Sequence, residues 1–264
     1  MTNLQPVSTL SSKIDPSSQI QLLEYIKTQL DPQQLEDRWS RHFRFYDFFM
    51  TLDPRYIETI KDHVNGLRDF KTIIDTGCGT GNLTLELLKE GHEITAIDGN
   101  ELALSFLKTK SLKYKDKIKI EKKTDVQAYL TGEQFDAASS MFVIPFVPKN
   151  LRYFARVYHM LKPGGKLTIS AWAPVPDTFN GVIGYLEKFL EGQGILKEKK
   201  YGEYWQEFKK TSQQNAGQAL VGTKKEDLEE LLLDIGFEDI KQMPDNYSQY
   251  AYSLSVRKPT FTNK

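Results

Sequence analysis

Between Ile73 and Asn82 the chain reads IIDTGCGTGN, with an acid at Asp75 and glycines at Gly77, Gly79 and Gly81. An apolar run ending in an acid, then spaced glycines, then a helix-forming segment describes a strand, a tight loop and a helix start. Glycine admits positive φ and lets a ligand approach the backbone. The first turn of a helix offers N–H groups that lack an intrahelical acceptor. Asp98 stands 17 positions after Gly81, at the end of a second apolar run, EITAID. A carboxylate at that place accepts hydrogen bonds from ribose hydroxyls. The chemistry these residues support is the binding of a nucleoside at the carboxyl ends of parallel strands. The spacing is G-x-G-x-G, and Asn82 occupies the place of the third glycine in the dinucleotide fingerprint G-x-G-x-x-G.

A loop of this kind needs a sheet to hold it. Short apolar or alternating runs predict strands over Lys71–Asp75, Glu93–Asp98, Ile118–Lys122, Phe135–Met141 and Lys166–Ala171. Helical spacing falls between them, over Asn82–Glu90, Asn100–Lys110 and Asn150–Leu161. Strands alternating with helices indicate a parallel sheet covered on both faces. Upstream, Asp15-Pro16, Asp31-Pro32 and Asp53-Pro54 each precede a helical pattern, because Asp caps a helix start and Pro fits its first position. Residues 173–222 interrupt the rhythm, with helical stretches at Val182–Leu190 and Tyr204–Thr211. Residues 223–235 form an amphipathic helix, with Thr223 and Glu226 as a capping box and Gly236 just beyond its end. Phe237–Met243 and Ser248–Arg257 read as two closing strands, and Pro163-Gly164-Gly165 as a tight turn.

Composition narrows the class. The 264 residues are 39% hydrophobic and 27% charged, with 35 Lys+Arg balancing 35 Asp+Glu. A protein that lives on nucleic acid carries a basic excess, so no nucleic-acid partner is expected. The single Cys78 excludes an intramolecular disulfide and a cysteine-based zinc cluster, and no carboxylate cluster has metal-ligand spacing. Mean hydropathy is −0.48, no apolar run approaches a membrane span, and MTNLQPVSTLSSKIDPSSQ has no apolar signal core. The expectation is a soluble, cytoplasmic protein with no membrane partner and an open oligomeric state.

The segment DTGCGTG resembles the first motif of the class I S-adenosylmethionine-dependent methyltransferases, acid-x-G-x-G-x-G, at every fixed position. The resemblance continues through Asp98, Thr124-Asp125-Val126, Phe135-Asp136 and Leu161-Lys162-Pro163-Gly164-Gly165, over roughly residues 71–172. It implies an α/β, Rossmann-like, doubly wound and mostly parallel seven-stranded sheet. An N-terminal helical cap (1–70) would precede the cofactor-binding core (71–172). An insertion or lid on the substrate side (173–222) would follow the fifth strand, and 223–264 would complete the core. It also implies S-adenosyl-L-methionine as cofactor, S-adenosyl-L-homocysteine as product, and methyl transfer to a small-molecule acceptor. Asp75, Gly77, Gly79 and Gly81 would shape the cofactor loop. Asp98 would bind the ribose, and Asn100 would frame the adenosine. Asp125 and Val126 would face the adenine, and Met141 and Phe142 would border the methyl group. The pair Tyr46-Asp47 resembles an aromatic-acid pair that lies near the cofactor in similar families, which makes Tyr46 a cofactor and catalytic candidate.

Methyl transfer is an in-line displacement, and alignment supplies most of what it needs. A base helps where O–H or N–H must lose a proton. His42, in the aromatic stretch WSRHFRFYDFFM, is the candidate. His63, beside Lys61 and Asp62, reads as solvated, and His92 and His159 lie away from the strand tips. Trp172, Tyr204 and Trp205 are candidate substrate walls. Cys78 suits the loop as a small residue rather than as a nucleophile, and the lysines of 108–123 read as a solvated face. SMFVIPF lacks the Asn/Asp-Pro-Pro-aromatic motif of methyltransferases acting on DNA bases. Three alternatives stay open: a protein or carrier-bound acceptor, a non-catalytic cofactor-binding protein, and an NAD-dependent oxidoreductase, which the loop spacing disfavours.

Overall fold

The structure is a computed structural model that describes residues 38–123, 132–147, 150–216 and 222–260. The helix expected near residues 17–30, together with Asp125 and Val126, lies outside the described residues. Among the described residues two helices precede the sheet, α1 (Arg38–Met50) and α2 (Pro54–Leu67). The Asp53 carboxylate accepts from Arg55 N at 3.0 Å with Pro54 in the first turn, which fixes where α2 starts. The sheet segment then runs β1 (Thr72–Thr76), α3 (Asn82–Lys89), β2 (Glu93–Asp98), α4 (Glu101–Lys110), β3 (Ile118–Lys122), β4 (Phe135–Met141), α5 (Asn150–Met160) and β5 (Leu161–Trp172). Next come α6 (Thr178–Gly192), α7 (Lys199–Ala216), α8 (Lys225–Ile235), β6 (Glu238–Gln242) and β7 (Ala251–Arg257).

The seven strands form one sheet in the order β3-β2-β1-β4-β5-β7-β6. The first five are parallel, and β7 runs antiparallel to both β5 and β6. Neighbouring strand residues point to opposite faces. Ile74 packs with Phe154, Val157, Leu228 and Leu232 on one side, while Ile73 packs with Leu83 and Leu87 on the other. The second face continues into Phe49, Trp205 and Phe208, so α1 and α7 extend the core beyond the sheet. Burying each such ring stabilises the fold by about 1.5–3 kcal/mol. Arg55 joins α2 to α6. It pairs with Asp53 at 2.7 Å, donates to Val182 O at 2.9 Å and lies 3.8 Å from the centre of the Tyr185 ring.

Several expectations need correction. Pro163-Gly164-Gly165 is not a turn before the fifth strand but an irregularity inside it. Phe135 pairs with Leu161 and Ala137 with Lys166, so the extra residues bulge out of β5. The capping box at Thr223 and Glu226 does not form, since Lys224 is the cap of α8 and no side chain bonds there. Gly236 does end α8 in the left-handed conformation, with φ 108°. His63 is not solvated. It is fully buried, with Nε2 2.7 Å from Ser170 Oγ and Nδ1 2.9 Å from Thr168 Oγ1. His159 is exposed, as expected.

Candidate active site

The glycine loop leaves β1 and is braced on β2. Gly77 N and Cys78 N both donate to Ile97 O, at 2.8 and 3.0 Å. Gly79 N donates to Asp98 Oδ2 at 2.9 Å, and Asn100 N donates to Asp98 Oδ1 at 2.8 Å. Each oxygen of Asp98 therefore has a backbone donor, with Gly99 N–H a further one, and a carboxylate retains further acceptor capacity. Burial pushes the Asp98 carboxyl up from its ordinary value, and the Asn100 and Gly79 N–H groups pull against that shift. Asn100 also caps α4, accepting from Ala103 N at 2.9 Å. Asp75 is buried behind the loop and accepts from Thr84 Oγ1 at 2.6 Å, which ties β1 to α3. Burial raises Asp75 to about 6, with the Thr84 hydrogen bond opposing and the Asp98 charge adding. The Cys78 thiol is pushed well up by burial and by the charges of Asp98 and Asp75, so it stays protonated.

Helix α1 crosses over this loop. Tyr46 lines the same cavity as Gly77, Gly79 and Asp98, and its hydroxyl donates to Tyr56 Oη at 3.5 Å. Burial raises Tyr46 to about 12, against the Tyr56 hydrogen bond. Asp47, next in sequence, turns away into the protein. It accepts from Thr80 Oγ1 in the glycine loop, from Asn82 Nδ2 at 3.1 Å and from Lys110 Nζ at 2.6 Å. Lys110 is thus no part of a solvated face. His42 lines the cavity with its ring stacked on Phe208, centroids 5.1 Å apart, and Nδ1 3.3 Å from Thr211 Oγ1. Burial lowers His42 to about 3, so the ring is neutral and a weak proton acceptor.

Met141 and Phe142 line the opposite wall. Phe142 has φ 59°, a left-handed conformation that costs a non-glycine residue about 1–3 kcal/mol. Its N–H bonds to Ser170 O at 2.9 Å, and its ring stacks on Trp172 with centroids 4.3 Å apart. Trp172 lines the cavity. Trp205 does not. It is 1% exposed in the core against Phe49 and Phe208, and its Nε1 donates to Glu187 at 2.7 Å. Tyr204 stacks on Phe45 outside the cavity lining. Phe179, Val182 and Ile183 of α6, and Tyr56 of α2, line the cavity without having been singled out in the sequence.

The cavity holds about 1220 Å³ and joins the glycine loop to this aromatic wall. A Cβ at Gly79 would meet only Phe43 Cε1, at 3.8 Å, so the loop backbone opens onto free space at that point. That opening, with the Asp98 oxygens beside it, fits a nucleoside with a polar chain. No group of three or more His, Cys, Asp or Glu side chains suits a metal ion among the described residues. No described helix is long and apolar enough to cross a membrane.

Comparisons with known proteins agree with this geometry. A family model for the methyltransferase domain matches residues 73–165. A ubiquinone biosynthesis O-methyltransferase of Histophilus somni (strain 2336) is 31% identical over 165 residues, covering 55% of this chain and 68% of that protein. Its counterpart in Nitrosococcus oceani is 28% identical over 152 residues, covering 56% and 62%. The chain thus spans about two thirds of the length of these relatives. The 1,6-didemethyltoxoflavin-N1-methyltransferase of Burkholderia thailandensis, solved with 1,6-didemethyltoxoflavin and S-adenosylhomocysteine, superimposes with a TM-score of 0.55 at 15% identity. That likeness is one of fold, and it covers 96% of this chain and 94% of that one. With the strand order, the GxGxG loop and Asp98 in place, the chain belongs to the class I S-adenosylmethionine-dependent methyltransferases. It is accordingly a methyl-transferring enzyme whose cofactor is S-adenosylmethionine.

Proposed function

We propose that the acceptor is a small molecule with a planar, largely apolar body, methylated on oxygen in the space between the glycine loop and the aromatic wall. The single cavity running from Asp98 to Phe142 and Trp172 carries this reading. The relatives named as O-methyltransferases support the choice of oxygen. In this assignment residues 1–70 act as a cap and 173–222 as a substrate-side insertion, on a core of 71–172 completed by 223–264.

Bound in the loop, S-adenosylmethionine supplies an electrophilic methyl group whose sulfur leaves as a neutral thioether. The protein's residues hold and align. Asp98 takes the ribose hydroxyls, and Gly77, Gly79 and Gly81 leave room for the chain beside it. Asp75 keeps the loop in place through Thr84, and Asn100 positions the adenosine side. Asp125 and Val126 are assigned to the adenine by resemblance. Tyr46 closes the cavity from α1, and Met141 and Phe142 border the reacting methyl. His42 is assigned to the wall and not to proton transfer, since a ring that protonates near pH 3 removes a phenolic proton poorly. Trp172 and Phe142 present flat faces to a planar acceptor.

Calorimetry with S-adenosylmethionine, S-adenosylhomocysteine and NAD tests the cofactor assignment. Labelled-methyl transfer to a panel of phenols, amines and carrier-bound analogues tests the acceptor. Binding of the first two ligands with transfer to a free phenol is expected. Tight NAD binding alone, or turnover only on carrier-bound substrates, would overturn the reading.

A further inference from the structure

The cavity has two chemically different ends. Its charged residues, Asp75, Asp98, Glu101, Lys122 and Lys123, all belong to the tips of β1 to β3 and the start of α4. Where α7 meets α1 the polar lining is neutral, with His42 and Tyr46 from α1 and Ser212 and Asn215 from α7. Asn215 is 4% exposed, and neither its Oδ1 nor its Nδ2 has a hydrogen-bond partner among the described residues. The other buried polar atoms left without partners, on His92, Asn150 and Tyr247, lie outside this lining. Both atoms are covered as the side chain stands, and a buried amide with both ends unpaired destabilises a fold, so a ligand that the amide turns to meet from the cavity wall would relieve that cost. The neighbouring side chains do not compete for it. Ser212 Oγ lies 3.5 Å from His42 Nδ1, and Thr211 Oγ1 donates to the carbonyls of Glu207 and Phe208.

An asparagine amide offers one acceptor and one donor side by side. Its complement is an edge with a donor and an acceptor in the same arrangement, as on a lactam or ring amide. A carboxylate has no donor for Oδ1, and none of the charged lining residues lies at this end. The cofactor is placed by Asp98 and the glycine loop, on the charged side. We infer that Asn215 is a specificity-determining residue that receives an uncharged donor–acceptor edge of the methyl acceptor. This rests on the assignment of the cavity as a methyltransferase site.

The test uses the full chain and the variant Asn215→Leu. First, each is titrated with S-adenosylhomocysteine. Failure of the unmodified chain to bind would sink the methyltransferase assignment itself. Unchanged affinity in Asn215→Leu is expected, and a tenfold loss would move Asn215 into the cofactor site and overturn the inference. Second, the melting temperature without ligand is compared. Removing two unpaired polar atoms should leave it equal or higher, as at sites where function is kept at the expense of stability. A clear fall would mark a structural amide. Third, the product-loaded proteins are titrated with 2-quinolone and its N-methyl derivative, which differ in one donor. The unmodified chain should prefer 2-quinolone by about tenfold or more, because a site built to pair a polar group rejects an analogue that lacks it. Asn215→Leu should lose that preference. Equal affinities, a preference that survives in the variant, or no binding of either probe would overturn the inference.

Discussion

Lys110 Nζ donates to Asp47 Oδ2 at 2.6 Å, and this pair ties the helix above the site to the last turn of α4. Asp47 holds the glycine loop at the same time through Thr80, and Lys110 also donates to Asn82 Oδ1 at 3.1 Å. The carboxylate is therefore a latch between α1 and the cofactor loop. Asp47→Ala leaves a largely buried ammonium without its counter-charge, and removing one partner of such a pair costs about 3–5 kcal/mol. Chemical denaturation should report that loss, with weaker binding of S-adenosylhomocysteine because Thr80 is released. Lys110→Met strands the Asp47 carboxylate, which keeps only Thr80 and Asn82 as donors, and should lose stability as well. Equal stability of all three proteins would show that the latch is ornamental.

Asp98→Asn keeps the shape of the side chain but weakens its pull on Gly79 N and Asn100 N. Hydrogen bonds to a charged group contribute about 1.5–3 kcal/mol each, so the dissociation constant for S-adenosylmethionine should rise by one to two orders of magnitude. The melting temperature should fall as well, since the same carboxylate braces the loop. An unchanged dissociation constant in the folded variant would remove Asp98 from the ribose site.

The glycines of the loop should separate by substitution. At Gly81, φ is 84° and a Cβ would collide with the Leu107 side chain, so Gly81→Ala should destabilise the fold. At Gly79 the same atom enters the cavity, so Gly79→Val should abolish cofactor binding with a moderate loss of stability. Thermal melts beside ligand titrations distinguish the two. A Gly79→Val protein that binds normally would place the cofactor elsewhere.

Burial lowers His63 to about 3, whereas an unfolded chain protonates it near 6.5. Below that unfolded value the unfolded state binds a proton that the native state refuses, so stability falls as pH drops from about 6.5 toward 3, by about 1.4 kcal/mol per pH unit. His42 acts in the same sense. Asp75 and Asp98, raised in the fold, oppose it. The difference in unfolding free energy between the protein and His63→Gln isolates the His63 contribution and should shrink on acidification from pH 6.5 to 4. A constant difference, or a ring that titrates near 6.5 by NMR in the native protein, would show that His63 is not buried neutral.

The strand tips were legible because an acid closes each apolar run and glycines follow the first. That pattern located Asp75, Gly79 and Asp98 without tertiary information. His63 was misread from its charged neighbours, although Tyr56, Thr59, Ile60 and Leu67 share its helical face and are all buried. Spacing would have placed it. Trp205 and Tyr204 are adjacent on a helix, which turns about 100° per residue, so one enters the core while the other packs at its edge. Neither composition nor period separates a core indole from one on a cavity wall. Asn215 and Tyr56 were invisible for another reason. What brings each to the cavity wall is the approach of α7 and α2 to strand ends far away in the chain.

The wall carrying Trp172 has a partner that is made late. Lys166 pairs with Arg257 and Trp172 with Ala251, so one flank of β5 is supplied by β7, after α6, α7 and α8. On the ribosome, the emerging chain can assemble its nucleoside loop while that flank is still being synthesised. The Trp172 flank of the sheet is completed only once residue 257 has cleared the exit tunnel, and until then the edge of β5 is exposed to any other strand that reaches it.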